Sequence, residues 1–265
     1  MGMHRNNLVW GGLLVLLGGL LLLDNLGLLP RSVNIWGIFW PLALIGLGVS
    51  WVWGALRSGE RSETLAVPLE ATERARVLLR HGAGELRIAA GAGAGQLLEG
   101  VFGGGVISEV RRSGGETRVD LRVPDVAFTW PMGPGRPLDW QVNFSSLVAL
   151  ALEVEGGASR MILDLRDLRV YELRLKTGAS ATMIEFPENA GETRAFIESG
   201  AASVDIRVPE GVAAHIRLKG ALGSANVDEA RFHRVADGFE SGDYVGAVNR
   251  LDLEVQYGVG SVTVR

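Results

Sequence analysis

The sequence lacks one residue type and several residue spacings on which common protein chemistries depend. It contains no cysteine, which excludes disulfide bonds, thiolate catalysis and cysteine-based metal sites. Its four histidines are scattered, and no two of them have the His-x-x-x-His spacing of a zinc-binding helix. We therefore expect no metal ion and no cofactor.

Catalytic and nucleotide-binding motifs are also missing. Ser145-Ser146 lacks the flanking glycines of a Gly-x-Ser-x-Gly nucleophile elbow. The glycine run 103–105 is followed at 106–110 by a pattern typical of a strand, whereas a phosphate-binding loop needs a following helix. We interpret the chain as non-enzymatic.

Charge is distributed unevenly along the chain. Residues 1–57 contain only Arg5, Arg31, Arg57 and Asp24 as formal charges, and the whole chain has a formal net charge of -4. The remainder is mildly acidic and contains no basic run, whereas nucleic-acid binding needs a clustered cationic face. Nucleic acid is therefore not an expected partner.

Two long apolar segments stand at the start of the sequence. Residues 8–29 and 35–56 are each long enough to cross a bilayer, which takes about 20 residues in a helix. A signal peptide is the alternative for the first segment, but no small-x-small cleavage site follows it. We predict a two-helix transmembrane hairpin over residues 1–57 and hence an integral, multi-pass protein of the cell membrane.

Small residues indicate how the two predicted helices pack together. Gly46, Ser50 and Gly54 recur every four residues, so they form one stripe that allows close helix contact in lipid. On the first helix, Gly11 and Gly18 offer a matching groove. The alternative is that glycine is simply common in membrane helices.

Basic residues at the ends of the hairpin predict its orientation. Arg5, Arg57 and Arg61 flank the outer ends, while Arg31 in the short connection is offset by Asp24. The excess of positive charge on cytoplasmic segments predicts that both termini, and with them the soluble domain, face the cytoplasm.

Glycine-rich repeats organise the rest of the chain. Gly157, Gly178 and Gly200 follow one another at spacings of 21 and 22 residues, and Gly220 comes 20 residues later. Alternating apolar runs follow these glycines, which predicts β-strands stacked as repeats over a common core. We expect an all-β domain of stacked-strand, β-solenoid type. The predicted turn glycines are Gly82, Gly157, Gly178, Gly200, Gly220 and Gly258.

The pattern divides the remaining chain into a linker at 58–64, an N-terminal β part at 65–145 and a repeated β part at 146–265. Prolines interrupt the rhythm at 124–144, which we interpret as an irregular loop containing Trp130 and Trp140. The two indoles either pack over the end of a sheet or form an exposed aromatic binding site.

Two groups of motifs resemble known bacterial families. The connection 23–27 and the Trp40-Pro41 pair resemble the two-helix membrane region shared by LiaI and LiaF proteins. Residues 75–77 and 82–88 are similar to the start of toast-rack domains, and Gly157-Ala158-Ser159 is similar to the repeated half shared with LiaF. The resemblance implies a β-solenoid-like fold without known catalytic activity, in proteins that modulate two-component signalling on cell-envelope stress.

Two functional hypotheses follow from the patterns and the resemblance together. The first is a membrane-anchored regulator or sensor of envelope stress that contacts a protein partner such as a two-component sensor kinase, with helix contacts along Gly46, Ser50 and Gly54. The alternative is a structural scaffold whose repeat domain self-associates as a homo-oligomer or binds envelope material without a signalling role.

Overall fold

The structure, a computed structural model, describes residues 62–124 and 138–265. The predicted hairpin over 1–57 and the positions 58–61 of the predicted linker lie outside the described residues. Within the described ranges, no helix combines the length and hydrophobicity needed to cross a membrane.

The described residues form thirteen strands and one short 3-10 helix, Tyr244–Gly246. The strands are β1 (Ser62–Pro68), β2 (Arg74–Ala90), β3 (Gln96–Gly103), β4 (Ile107–Ser113), β5 (Glu116–Arg122), β6 (Trp140–Phe144), β7 (Ala149–Asp164), β8 (Arg169–Glu185), β9 (Glu192–Arg207), β10 (Ala213–Val227), β11 (His233–Val235), β12 (Gly238–Glu240) and β13 (Arg250–Val264).

Six long strands form the body of the domain. They pair in parallel in the order β2-β7-β8-β9-β13-β10. Strand β13 thus lies between β9 and β10, although it follows both in the chain. The last two strands are therefore stacked in the reverse of their chain order.

Each long strand turns a corner near its middle. In β9, alternate residues are buried before the corner and alternate residues are buried after it, but Gly200 and Ala201 are both exposed. The buried positions therefore shift from odd to even numbers, as expected when a strand bends around a core. We call the two halves the first arm and the second arm. The first arms are 74–81, 149–156, 169–177, 192–199, 250–257 and 213–220, and the second arms are 84–90, 159–164, 180–185, 202–207, 260–264 and 223–227.

One hydrophobic core fills the space between the arms. Leu175 in the first arm of β8 and Ile184 in its second arm are both fully buried in the same cluster. Apolar residues of the connecting segments close the far end of that core: Leu165, Leu168, Phe186, Val208 and Val212. Each repeat is thus one coil made of a first arm, a bend, a second arm and a turn, and neighbouring coils bury each other's apolar side chains.

Shorter strands extend both ends of the stack. At the β2 end, β5 and β4 continue the first arms, while β6, β3 and β1 continue the second arms. At the β10 end, the β11–β12 hairpin pairs with the first arm of β10. Phe232, just before this hairpin, is completely buried.

The structure corrects two sequence-based boundaries. Strand β1 begins at Ser62, so residues 62–64 of the predicted linker belong to the sheet. The predicted loop 124–144 ends in strand β6, which begins at Trp140. In both cases the pairing partner, β3, is distant in sequence, so that local composition does not reveal the strand.

Candidate interaction surface

Five of the six glycines predicted to form turns lie side by side at the strand bends. This column contains Gly82, Gly157, Gly178, Gly200 and Gly258. The residues that flank each glycine pair in register with the residues that flank the next one. A Cβ atom on Gly157 would lie 2.5 Å from the carbonyl oxygen of Gly82, and one on Gly200 would lie 2.8 Å from that of Gly178. The predicted turn glycines lie at bends within continuous strands, where glycine allows the close approach of neighbouring backbones.

The sixth glycine, Gly220, lies one residue before this column. It pairs with Tyr257, and Leu222 pairs with Val259, so that Ala221 is the residue opposite Gly258. A Cβ atom on Gly220 would lie 2.1 Å from Cζ of the tyrosine ring. This glycine therefore makes room for the side chain of Tyr257.

An open cleft of about 750 Å³ runs beside the glycine column. One wall is a row of cross-strand neighbours whose charge alternates, namely Arg80, Glu155, Lys176 and Glu198. The Arg80 guanidinium lies 3.2 Å from the Glu155 carboxylate and 3.1 Å from that of Asp120. The wall therefore presents both signs of charge in a fixed order.

The outer surface of the first arms, which we call the charged face, continues this alternation. Arginines and one lysine pair with carboxylates on the same strand or on its neighbour, at distances of 2.7 to 2.8 Å. Such pairs add little stability in water but fix a charge pattern that a partner can recognise. The pairs are Arg174–Glu172, Arg194–Glu192, Arg250–Glu192, Arg217–Asp252 and Lys219–Glu254.

Two of these carboxyl groups, those of Glu192 and Glu254, have a lowered pKa. Hydrogen bonds from Arg250 and Arg194 lower the pKa of Glu192, and hydrogen bonds from Lys219 and Gln256 lower that of Glu254. A general acid at neutral pH needs a raised carboxyl pKa instead. The charged face is therefore suited to recognition by fixed charges.

Beyond the bends, the outer surface changes character. Each bend has a second residue, which directly follows the residue in the glycine column. Four of these second residues are cross-strand neighbours, namely Ala179, Ala201, Val259 and Leu222. The side chains of Val259 and Leu222 are 54% and 69% exposed. The next outward row is also small and uncharged. We call these eight residues the small-residue strip: Ala179, Ala201, Val259, Leu222, Ala181, Ser203, Ser261 and Ser224.

His81 is the most deeply buried ionisable side chain beside the bends. Its Nε2–H donates a hydrogen bond to the Leu138 carbonyl oxygen at 2.6 Å, while its Nδ1 has no partner. Burial lowers the pKa of this imidazole, although the Leu138 hydrogen bond and the nearby Asp139 charge oppose the shift. His81 therefore remains neutral in the folded protein at neutral pH.

Trp140 belongs to the core and not to an exposed aromatic site. It is 1% exposed, and its indole N–H donates to the Gly103 carbonyl oxygen at 3.2 Å. Its ring meets Phe102 edge-on at 5.0 Å between centroids. Of the two alternatives, Trp140 therefore fits the packed one and not the exposed aromatic site, while Trp130 lies outside the described residues.

The helix-packing candidates Gly11, Gly18, Gly46, Ser50 and Gly54 all lie outside the described residues. Within the described ranges, no group of three or more histidine, cysteine, aspartate or glutamate side chains is placed to hold a metal ion.

Comparison with known families adds to this geometry. The family described as the N-terminal domain of toast_rack, DUF2154, matches residues 57–207. The chain belongs to this family. The match runs across the predicted division at residue 145, in agreement with the single stack formed by β2 and β7–β9. The LiaI-LiaF-like transmembrane region matches residues 8–52, which indicates association with a membrane.

A solved structure shares the fold. It is a Clostridium sporogenes protein described as a candidate cell adhesion protein, with a TM-score of 0.66 and 15% sequence identity. The similarity covers 78% of this toast-rack chain and 99% of the other. A comparison with curated proteins finds no match.

Proposed function

We propose that this toast-rack protein is a membrane-anchored, non-catalytic regulator or sensor of bacterial envelope stress that works through contacts with a signalling partner. The observation that carries the proposal is the filled core between the arms. It leaves the outer faces and the bend cleft as the surfaces on which a second molecule can act. The matches to a toast-rack domain and to a LiaI-LiaF-like membrane region support this assignment.

The hairpin over residues 1–57 would hold the domain at the membrane. The Gly46-Ser50-Gly54 stripe would contact the membrane helices of a partner such as a sensor kinase, and the positive charges at Arg5, Arg57 and Arg61 would keep the β-domain in the cytoplasm. A protease-sensitive tag after Arg265 tests this orientation. Protection in spheroplasts agrees with the proposal, and digestion there contradicts the cytoplasmic placement.

The small-residue strip is the proposed contact surface of the β-domain. It combines exposed apolar side chains with the absence of charge, whereas the first arms are covered by ion pairs. Substituting Ala179→Lys together with Ala201→Glu places an opposite-charge pair on adjacent strands, so that the sheet keeps a favourable cross-strand contact while the strip loses its smooth surface.

The readout is a reporter of the cell-wall stress response in living cells. We expect deletion of the gene to alter the response, and the Ala179→Lys/Ala201→Glu variant to reproduce that change at normal protein levels. As a control, Arg174→Lys keeps a positive charge beside Glu172 and opposite Glu153 on the charged face, and should leave the response unchanged. A deletion without effect on any such reporter would contradict the proposed role.

The scaffold alternative draws support from a different observation: among the described strands, the second arm of β10 pairs on one side only, with β13. A scaffold role requires self-association or binding to envelope material, but no change in signalling. Normal stress reporters after deletion, together with assemblies of the protein in the membrane, would favour it over regulation.

A further inference from the structure

The end of the first arm of β10, its bend and its second arm together form a free sheet edge. Residues 219–226 are all exposed, and β13 pairs with them on one side. The β12 strand covers only His215 and Ile216 of the first arm. Across 62–124 and 138–265, no other strand pairs with residues 219–226, so one row of backbone N–H and carbonyl groups faces outward.

The other sheet edges carry features that discourage pairing with a further strand. Strand β1 contains Glu63 and ends at Pro68, β4 carries Glu109, Arg111 and Arg112, and β11 has only three residues. Charge, proline and short length are the common means by which proteins protect an edge strand. The four edges are therefore not equivalent.

By contrast, the segment 220–226 reads Gly-Ala-Leu-Gly-Ser-Ala-Asn. It has neither charge nor proline, and its inward positions Gly220, Gly223 and Ala225 are small. A second strand can therefore approach this edge without steric or electrostatic hindrance. An edge of this length that lacks protection is expected to have a partner.

Charges at the two ends of the edge indicate which partner fits. Lys219 stands at its beginning, where its ammonium contacts Glu254 of β13 and its side chain is 64% exposed. Asp228 and Glu229 follow the end of the edge and are both exposed. If a second copy of the strand pairs in antiparallel direction, each lysine lies near the carboxylates of the other copy, twice by symmetry. A parallel copy would instead place like charges side by side.

We propose that two copies of this protein associate through antiparallel pairing of the β10 edge, residues 219–226, around a twofold axis. The same surface is used on both copies, so that the assembly closes as a dimer and does not grow into a filament. Leu222 then gains cover from the outward side chains of the other copy. This inference does not depend on the proposed signalling role.

The absence of cysteine allows a direct test on the full-length protein in membranes. Single variants Leu222→Cys, Ser224→Cys and Asn226→Cys place thiols on the outward side of the edge, and Ser108→Cys places one on the exposed β4 edge as a control. A disulfide forms only where the Cα atoms come within about 7 Å. We expect mild oxidation to give a covalent homodimer for a single edge position or for one mixed pair of edge variants, and none for Ser108→Cys.

The same cross-linking measurement reports the direction of strand pairing and the specificity of the contact. Antiparallel pairing favours cross-links near the twofold axis, whereas equal yields at all three positions would indicate parallel pairing and overturn the proposal. Adding a lysine at whichever of Leu222 and Ser224 does not carry the cysteine should abolish the cross-link, because lysines of both copies then lie near the axis, while an added Glu109→Lys should not. Absence of any covalent homodimer, or covalent capture of a different protein at these positions, would also overturn it.

Discussion

The first and second arms bury equivalent side chains but expose different surfaces. On the inside, Leu175 and Ile184 of one strand reach the same core and are equally buried. On the outside, the first arms carry ion pairs such as Glu172–Arg174. The small-residue strip occupies the bends and the start of the second arms, and ion pairs such as Glu185–Arg207 return beyond it. Because the core constrains only the inward residues, the outer residues of each arm are free to serve a different contact.

The strongest test of this equivalence is to truncate one inward side chain in each arm of β8. Leu175→Ala and Ile184→Ala should each lower the free energy of unfolding by about 2–5 kcal/mol, since both leave a cavity in a filled core. Urea unfolding of the full-length chain in detergent, followed by circular dichroism, measures the loss. A small effect in one arm alone would show that the two arms are not packed equivalently.

A second test concerns the bend that joins the arms. Gly157→Ala should cost about 1–3 kcal/mol, because the new methyl group would lie 2.5 Å from the Gly82 carbonyl oxygen and the strands must separate. Gly211→Ala is the matched control, since no atom lies within 4 Å of its added Cβ. Equal melting temperatures for the two variants would contradict the close backbone approach in the column.

The buried imidazole at the bend predicts how stability depends on pH. The pKa of His81 is lowered in the folded state by burial, so the unfolded chain binds more protons as pH falls. Stability should be fully present above the unfolded pKa, near about 6.5, and should decline below it. His81→Gln should flatten the decline in melting temperature between neutral and mildly acidic pH, whereas the exposed His233→Gln should retain it.

The smallest effect is expected on the outer faces. Glu172→Gln removes an exposed ion pair with Arg174 and should cost about 1 kcal/mol or less, and added salt should reduce the difference further. Ala179→Gln in the strip should also leave the unfolding free energy nearly unchanged. Urea midpoints measured at low and high salt distinguish the two variants, because only the Glu172→Gln effect should depend on salt. A large loss of unfolding free energy for either variant would show that the outer faces contribute strongly to stability.

Sequence reasoning captured what depends on local pattern. The spacings between Gly157, Gly178 and Gly200 give the column directly, because residues one coil apart must stack. The same spacing argues for Ala221 over Gly220, since Ala221 follows Gly200 by 21 residues. Gly220 was predicted as the column residue because it is a glycine, whereas the structure shows that the absence of a side chain at Gly220 makes room for the ring of Tyr257.

Features that depend on distant partners were not predictable from the pattern. The insertion of β13 between β9 and β10 leaves no local trace, because parallel pairing joins segments far apart in sequence. Trp140 follows several prolines in the sequence, so its local context predicts a loop. Its strand is formed by pairing with β3 and β2, which are distant in sequence. The free edge did have a signal, namely eight residues, 219–226, with one charge and no proline, but its significance required the sheet order.

The position of β13 has a consequence during synthesis. Strands β9 and β10 leave the ribosome first, yet the strand that joins them ends at Val264, which follows Val227 by 37 residues. At translation rates of about 5–20 residues per second, this leaves roughly 2 to 7 seconds in which the only native strand neighbour that β10 can gain is β12, which covers just His215 and Ile216. The sheet is thus completed in its middle and not at its end, and β10 must be kept from pairing with β9 until β13 arrives.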